Sequence, residues 1–81
     1  MTDNIDTSFD VWNPKSIAAP LRIEAHDASM AASSWTVRFD EKDALKNGGE
    51  VVVLVRGVTS GITTKWEVTK LCGYRALEIK S

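Results

Sequence analysis

A run of five consecutive aliphatic residues, Val51 to Val55, constrains the fold of this chain more than any other feature of its sequence. Four of them are valine, whose branched β-carbon favours extended backbone. The run lies between Glu50 and Arg56 and is too short for a helix that is stable on its own, so residues 50–56 are predicted to form a strand. Because its side chains are apolar on both faces, we expect this strand to lie in the middle of a sheet.

Four further segments alternate between apolar and polar residues and are predicted to be strands. They cover residues 8–12, 21–25, 62–69 and 74–80. Turn-forming residues separate them: Asn13-Pro14 after the first, residues 57–61 after the aliphatic run, and residues 71–73 before the last. In the first strand Phe9 and Val11 should face inward, and Asp10 and Trp12 outward.

Between the second strand and the aliphatic run the apolar period changes to that of a helix. Asp27 is placed to cap its first turn, and the helix is predicted over residues 28–40. The apolar stripe consists of Ala28, Ala31, Ala32, Trp35 and Phe39. Residues 35–39 also alternate like a strand, which is the competing interpretation, and residues 40–46 are able to extend the helix until Asn47-Gly48-Gly49 ends it.

The predicted order is therefore ββαβββ, and the predicted class is α+β, a single helix packed on a mostly antiparallel sheet, for which a β-grasp-like arrangement is one solution. With 81 residues the chain has enough length for one core. We expect residues 1–7 to form a tail and residues 8–81 to form the single domain. One helix covers only one sheet face, so apolar residues on the other face become informative about function.

The side chains needed for catalysis or metal binding are scarce. His26 is the one histidine and Cys72 the one cysteine, and the acidic residues show no ligand spacing. No glycine pattern typical of phosphate-binding loops is present. We therefore expect no catalytic residues, no metal and no cofactor. The single cysteine, the polar N-terminal residues and the lack of a stretch near the roughly 20 apolar residues that span a bilayer predict a cytoplasmic protein that does not contact membranes.

Function is then expected to lie on a surface that binds a partner. The candidate partner-binding residues are Trp12, Arg56, Lys65, Lys70 and Arg75. Trp12 is read either as an interface anchor or as a cap on the edge of the core, since exposed tryptophans often dominate binding energy. In contrast, Trp35, Phe39, Val53 and Trp66 should matter only for folding.

Two segments resemble a pattern found in small uncharacterised proteins of phages and prophages. The first is Ile23-Glu24-Ala25-His26-Asp27-Ala28 with Ala31-Ala32 and Trp35 behind it, and the second is the ending Tyr74-Arg75-Ala76-Leu77-Glu78-Ile79. The likeness covers residues 21–80 loosely. Phage accessory proteins of this size include inhibitors of host defence such as anti-CRISPRs, so the resemblance implies a host protein or protein complex as the partner.

Three functions follow as hypotheses. The first is a non-enzymatic protein-binding module, a phage-encoded inhibitor of a bacterial defence complex that acts by stoichiometric binding. The second is a nucleic-acid-binding accessory domain that uses Lys65, Arg75 and Tyr74, although the net charge of −1 argues against it. The third is a phage structural component that associates with itself through the uncovered sheet face.

Overall fold

The computed structural model describes residues 7–17, 19–40, 46, 48–71 and 73–79. It confirms the α+β class and the ββαβββ order. The elements are β1 (Ser8–Trp12), β2 (Leu21–Glu24), α1 (Ala28–Phe39), β3 (Glu50–Gly57), β4 (Thr63–Lys70) and β5 (Tyr74–Ile79). Most of the predicted tail lies outside the described residues, as do residues 41–45 of the helix extension predicted over 40–46. Lys46 is described and is not helical. Thr7, at the end of that tail, accepts a hydrogen bond from the Ala25 amide at 3.1 Å.

The five strands form one sheet in the order β2-β1-β3-β4-β5, with each neighbouring pair antiparallel. The aliphatic run is in β3, which occupies the centre as predicted. Since β1 is antiparallel to both β2 and β3, those two strands run in the same direction on either side of it. The helix therefore crosses over β1 to connect β2 with β3.

The helix begins where the sequence predicts. Asp27 has extended backbone, and its carboxylate accepts hydrogen bonds from the Met30 amide at 2.9 Å and the Ser29 hydroxyl at 2.7 Å. These contacts satisfy a backbone donor that a first helical turn leaves without a partner. Residues 35–39 are helical, so the competing strand interpretation is wrong, and the rings of Trp35 and Phe39 stack with centroids 5.0 Å apart.

The core lies between the helix and one face of the sheet. Its fully enclosed side chains are Val11, Ala31, Ala32, Thr36, Val53, Val55 and Val68. The two alanines allow the helix backbone to come close to the strands. Trp35 and Trp66 pack against this core from its margin, as expected of residues with a folding role.

Phe39, predicted to matter only for folding, is partly exposed in the structure, as are the apolar residues Leu21 and Ile62. Phe39 is 39% exposed, Leu21 37% and Ile62 66%. Leu21 lies on the short edge strand β2, and Ile62 precedes the first residue of β4, so neither has a second layer over it. The helix instead buries Thr36, whose hydroxyl donates to the Ala32 carbonyl at 2.8 Å and so needs no partner outside the helix.

Candidate interaction surface

The register of the strands divides the sheet residues between two faces, because directly opposed residues share a face and successive residues alternate. Val53 lies opposite Trp66, and both face the helix. We call the other side the open face. It consists of Ser8, Asp10 and Trp12 on β1, Arg22 and Glu24 on β2, Glu50, Val52, Leu54 and Arg56 on β3, Thr63, Lys65, Glu67 and Thr69 on β4, and Arg75, Leu77 and Ile79 on β5.

The centre of the open face is apolar. Trp12 lies directly opposite Leu54 on β3, and Val52 lies two residues before Leu54 on the same strand. All three residues are half-buried. On the edge strand, Leu77 is 50% exposed and Ile79 is 36% exposed. A sheet face that only meets water usually carries polar side chains at such positions. Lys65 and Glu67 on β4 separate Val52 and Leu54 from Leu77 and Ile79. We call Trp12, Val52, Leu54, Leu77 and Ile79 together the apolar strip, and solvent contact alone does not explain it.

A row of charged side chains borders this strip. Asp10 accepts hydrogen bonds from Arg22 on β2 at 2.9 Å and from Arg56 on β3 at 3.2 Å. The Arg22 hydrogen bond is the main cause that lowers the pKa of Asp10, and Arg56 adds to it. Both arginine side chains remain more than half exposed. Asp10 thus orients two arginines whose remaining donors still face solvent.

Lys65 and Arg75 also lie on the open face. Lys65 is opposite Leu54 on one side and Ile79 on the other, and Arg75 is opposite Thr69. Both side chains are exposed. The structure therefore brings four of the predicted partner-binding residues, Trp12, Arg56, Lys65 and Arg75, to one face of the sheet.

Lys70 is the exception, because it lies on the helix side of β4. Its ammonium is 2.6 Å from an oxygen of Asp40, the residue that ends α1, and the Tyr74 hydroxyl donates to the same oxygen at 2.7 Å. The Asp40 side chain is 1% exposed. Lys70 thus connects the end of the helix to β4, and Tyr74 connects it to β5. We therefore leave Lys70 out of the candidate surface.

Sequence reasoning missed two groups of residues. The apolar members Val52, Leu54, Leu77 and Ile79 were not named as site residues, although the aliphatic run indicates that β3 has apolar side chains on both faces. The buried acid Asp40 was missed because nothing in the local sequence separates it from a solvated carboxylate at a helix end.

The residues first considered for catalysis are spread over the fold. His26 is exposed at the start of the helix, beside a shallow depression that Thr7, Glu24 and Met30 help to line. Its neighbour Asp27 is engaged by the helix cap. Cys72 lies outside the described residues. Within the described ranges, no three His, Cys, Asp or Glu side chains converge as a metal site would require.

Over that same part of the chain, no helix is both long and apolar enough to span a bilayer. Comparisons with family models, curated proteins and solved structures yield no match.

Proposed function

We propose that this chain is a non-enzymatic protein-binding module that engages its partner through the open face of its sheet. The apolar strip of Trp12, Val52, Leu54, Leu77 and Ile79 carries the proposal, because it lies on the side of the sheet opposite α1. Interfaces combine a central apolar patch with a polar rim. The Asp10 row and Arg75 lie beside the apolar residues, and Lys65 and Glu67 of β4 lie between those of β3 and those of β5.

The charges of this face favour a protein over a nucleic acid. Its basic side chains are Arg22, Arg56, Lys65 and Arg75, and its acidic side chains are Asp10, Glu24, Glu50 and Glu67. The two sets balance among the described strand positions. A nucleic-acid surface needs an excess of positive charge to displace counterions from phosphates.

The more specific hypothesis is that the partner is a host protein complex, with the chain as a phage-encoded inhibitor of bacterial defence in the host cytoplasm. Its support is the resemblance of residues 21–80 to phage accessory proteins together with the small size of the domain. The position of the gene tests this origin. We expect it in a prophage beside a helix-turn-helix regulator; a place among tail or capsid genes would contradict the inhibitor and favour a structural role.

A recovery experiment with matched variants tests the binding function. The tagged protein is mixed with lysates of plausible hosts, alongside the Leu54→Glu and Arg75→Glu variants and the control Met30→Glu, which changes an exposed residue on the outside of the helix. We expect one protein partner at a stoichiometric amount with the wild type and the control, and a loss of at least about tenfold, or 1.4 kcal/mol, with each open-face variant.

Equal recovery by all variants would place the interface elsewhere, and absence of any protein partner would refute the proposal. Circular dichroism of each variant confirms that the fold is intact. A gel-shift titration at low salt addresses the nucleic-acid alternative, for which we expect a flat response, since binding that falls steeply with salt is the mark of phosphate contacts.

A further inference from the structure

On the open face, the residues of β3 and β4 have a pattern in which one half is the complement of the other. Along β3 its side chains run from the acid Glu50 through Val52 and Leu54 to the basic Arg56. Beside them on β4, Glu67 is opposite Val52 and Lys65 is opposite Leu54. A line drawn across the strands between these two pairs separates acid from base on both strands.

The same line relates every open-face position of β3 and β4. It exchanges Glu50 with Arg56, Val52 with Leu54, and Glu67 with Lys65. The outer β4 positions, Thr69 and Thr63, are identical, and on β5 the line exchanges Leu77 with Ile79. Arg75 and the open-face residues of β1 and β2 have no counterpart among the described strand positions. Rotation by half a turn about this line therefore places opposite charges against each other and apolar groups against apolar groups.

We propose that a second copy of this chain covers the open face, with the two sheets packed face to face about a two-fold axis along this line. Lys65 of each copy then faces Glu67 of the other, and Arg56 faces Glu50. An interface of this kind uses the same patch on both subunits, so the patch must be complementary to itself. The inference rests on the proposed function, because it places a second copy on the same open face that the proposed function assigns to a protein partner.

The overlapping part of the face predicts a weak dimer. Strands β3 and β4 each have 8 residues, which at about 3.3 Å per residue makes them about 26 Å long, and together with β5 they cover a width of about 14 Å at about 4.8 Å per strand. β1 lies wholly on the Leu54 side of the line, so the half-turn brings no second strand onto it. Stacking β3, β4 and β5 at the spacing of about 10 Å found in sandwiches buries on the order of 700 Å² in total. That area is below the usual range for a specific interface, so we expect a dimer of low affinity.

Charge exchange at the central pair tests the geometry. Sedimentation velocity is measured over a protein concentration series for the wild type, for Lys65→Glu, for Glu67→Lys and for the double exchange. We expect a wild-type dimer, a dissociation constant raised at least about tenfold by each single change, and recovery by the double exchange. Mixing the two single variants should form a heterodimer, since one then presents two carboxylates and the other two ammonium groups.

Glu78→Lys, at an exposed position on the helix side of β5, is the matched control and should leave the dimer unchanged. A wild type that stays monomeric at millimolar concentration overturns the inference, as does a dimer that the single changes leave intact or the double exchange fails to restore. Either result leaves the proposed function standing, because that function is judged by the Leu54→Glu and Arg75→Glu variants against a different protein.

Discussion

Among the residues that the structure describes, the buried polar side chains each have a hydrogen-bond partner. Asp40 is 5% exposed, yet Lys70 and Tyr74 both bind its carboxylate. Thr36, fully buried, donates to the helix backbone. A buried carboxylate costs several kcal/mol unless it is paired and hydrogen-bonded, so the Asp40 contacts are a condition for burying the end of the helix.

Removal of the Tyr74 hydroxyl tests this contact. Tyr74→Phe keeps the ring and deletes a hydrogen bond to a charged group, so we expect a loss of about 1–2 kcal/mol in the free energy of unfolding. Urea denaturation measures it. In a double-mutant cycle with Asp40→Asn the two effects should not add, because they share one interaction; additive losses would mean that the hydroxyl acts through other contacts.

The helix cap makes a second prediction at this scale. Asp27→Ala removes the acceptor for the Met30 amide and should cost about 1 kcal/mol of stability. Asp27→Ser retains an oxygen that accepts the same bond and should cost little. Thermal unfolding at neutral pH compares the two, and equal losses would show that the carboxylate charge, and not the hydrogen bond, stabilises the helix.

The pH dependence of stability follows from the same residue. The Ser29 hydroxyl and then the Met30 amide lower the pKa of Asp27 in the folded state. The ionised form is thus favoured by folding, and its contribution is complete above the unfolded pKa of about 4 and is lost as pH falls through the lower folded value. Between about pH 6 and about pH 3, we expect the free energy of unfolding of the wild type to fall by more than that of Asp27→Ser. Calorimetry of both proteins over the same pH series measures the difference.

At the scale of elements, α1 shows why a local pattern left two interpretations of residues 35–39. Trp35, Val37 and Phe39 alternate as strand residues do, and Thr36 and Val37 are β-branched. Residues 35–39 form a helix because the Asp27 cap starts α1 and because Ala31 and Ala32 of the same helix lie against the sheet. That packing involves strands that are distant in sequence, so the local pattern alone does not distinguish helix from strand at residues 35–39.

Enlargement of a helix alanine tests how close this approach is. Ala32→Leu adds three carbon atoms at a position with no exposed surface, and we expect a loss of about 1–3 kcal/mol from overpacking. Met30→Leu, a similar apolar residue on the exposed side of the helix, is the control and should change stability by less than about 0.5 kcal/mol. Chemical denaturation distinguishes them; a tolerated Ala32→Leu would indicate space between helix and sheet.

At the scale of the whole molecule, the strand order makes β3 the element on which the others depend. It is paired on both sides, by β1 and β4, and contributes the buried Val51, Val53 and Val55 to the core. β2 is the opposite case, with four residues at an edge of the sheet. Stability should therefore fall from the centre of the sheet to this edge.

Amide hydrogen exchange measures that gradient. We expect the hydrogen-bonded amides of Val53 and Val55 to exchange only through global unfolding, and those of β2 to exchange at least about tenfold faster through local opening. A uniform rate across the sheet would show that the domain opens as one unit. Protection of Leu54 and Lys65 should also rise with protein concentration if the open face is covered by a second copy.

The sequence by itself determined the class of fold, the order of the elements and the position of the helix start. These features depend on residue period, β-branching and capping within short segments, which act before any tertiary contact forms. It also identified Trp12, Arg56, Lys65 and Arg75 as surface candidates, but not that they share a face.

Only the tertiary structure decided how distant residues meet. The register sets Trp12 against Leu54 and places Val52 beside Glu67, and it turns Lys70 toward the helix and its buried partner Asp40. A shift of one residue in any strand would exchange its two faces, so these relations depend on pairing between segments that are far apart in the chain. The complementary arrangement of charged and apolar residues on β3, β4 and β5 depends on the register for the same reason, since it is defined only once these strands are aligned.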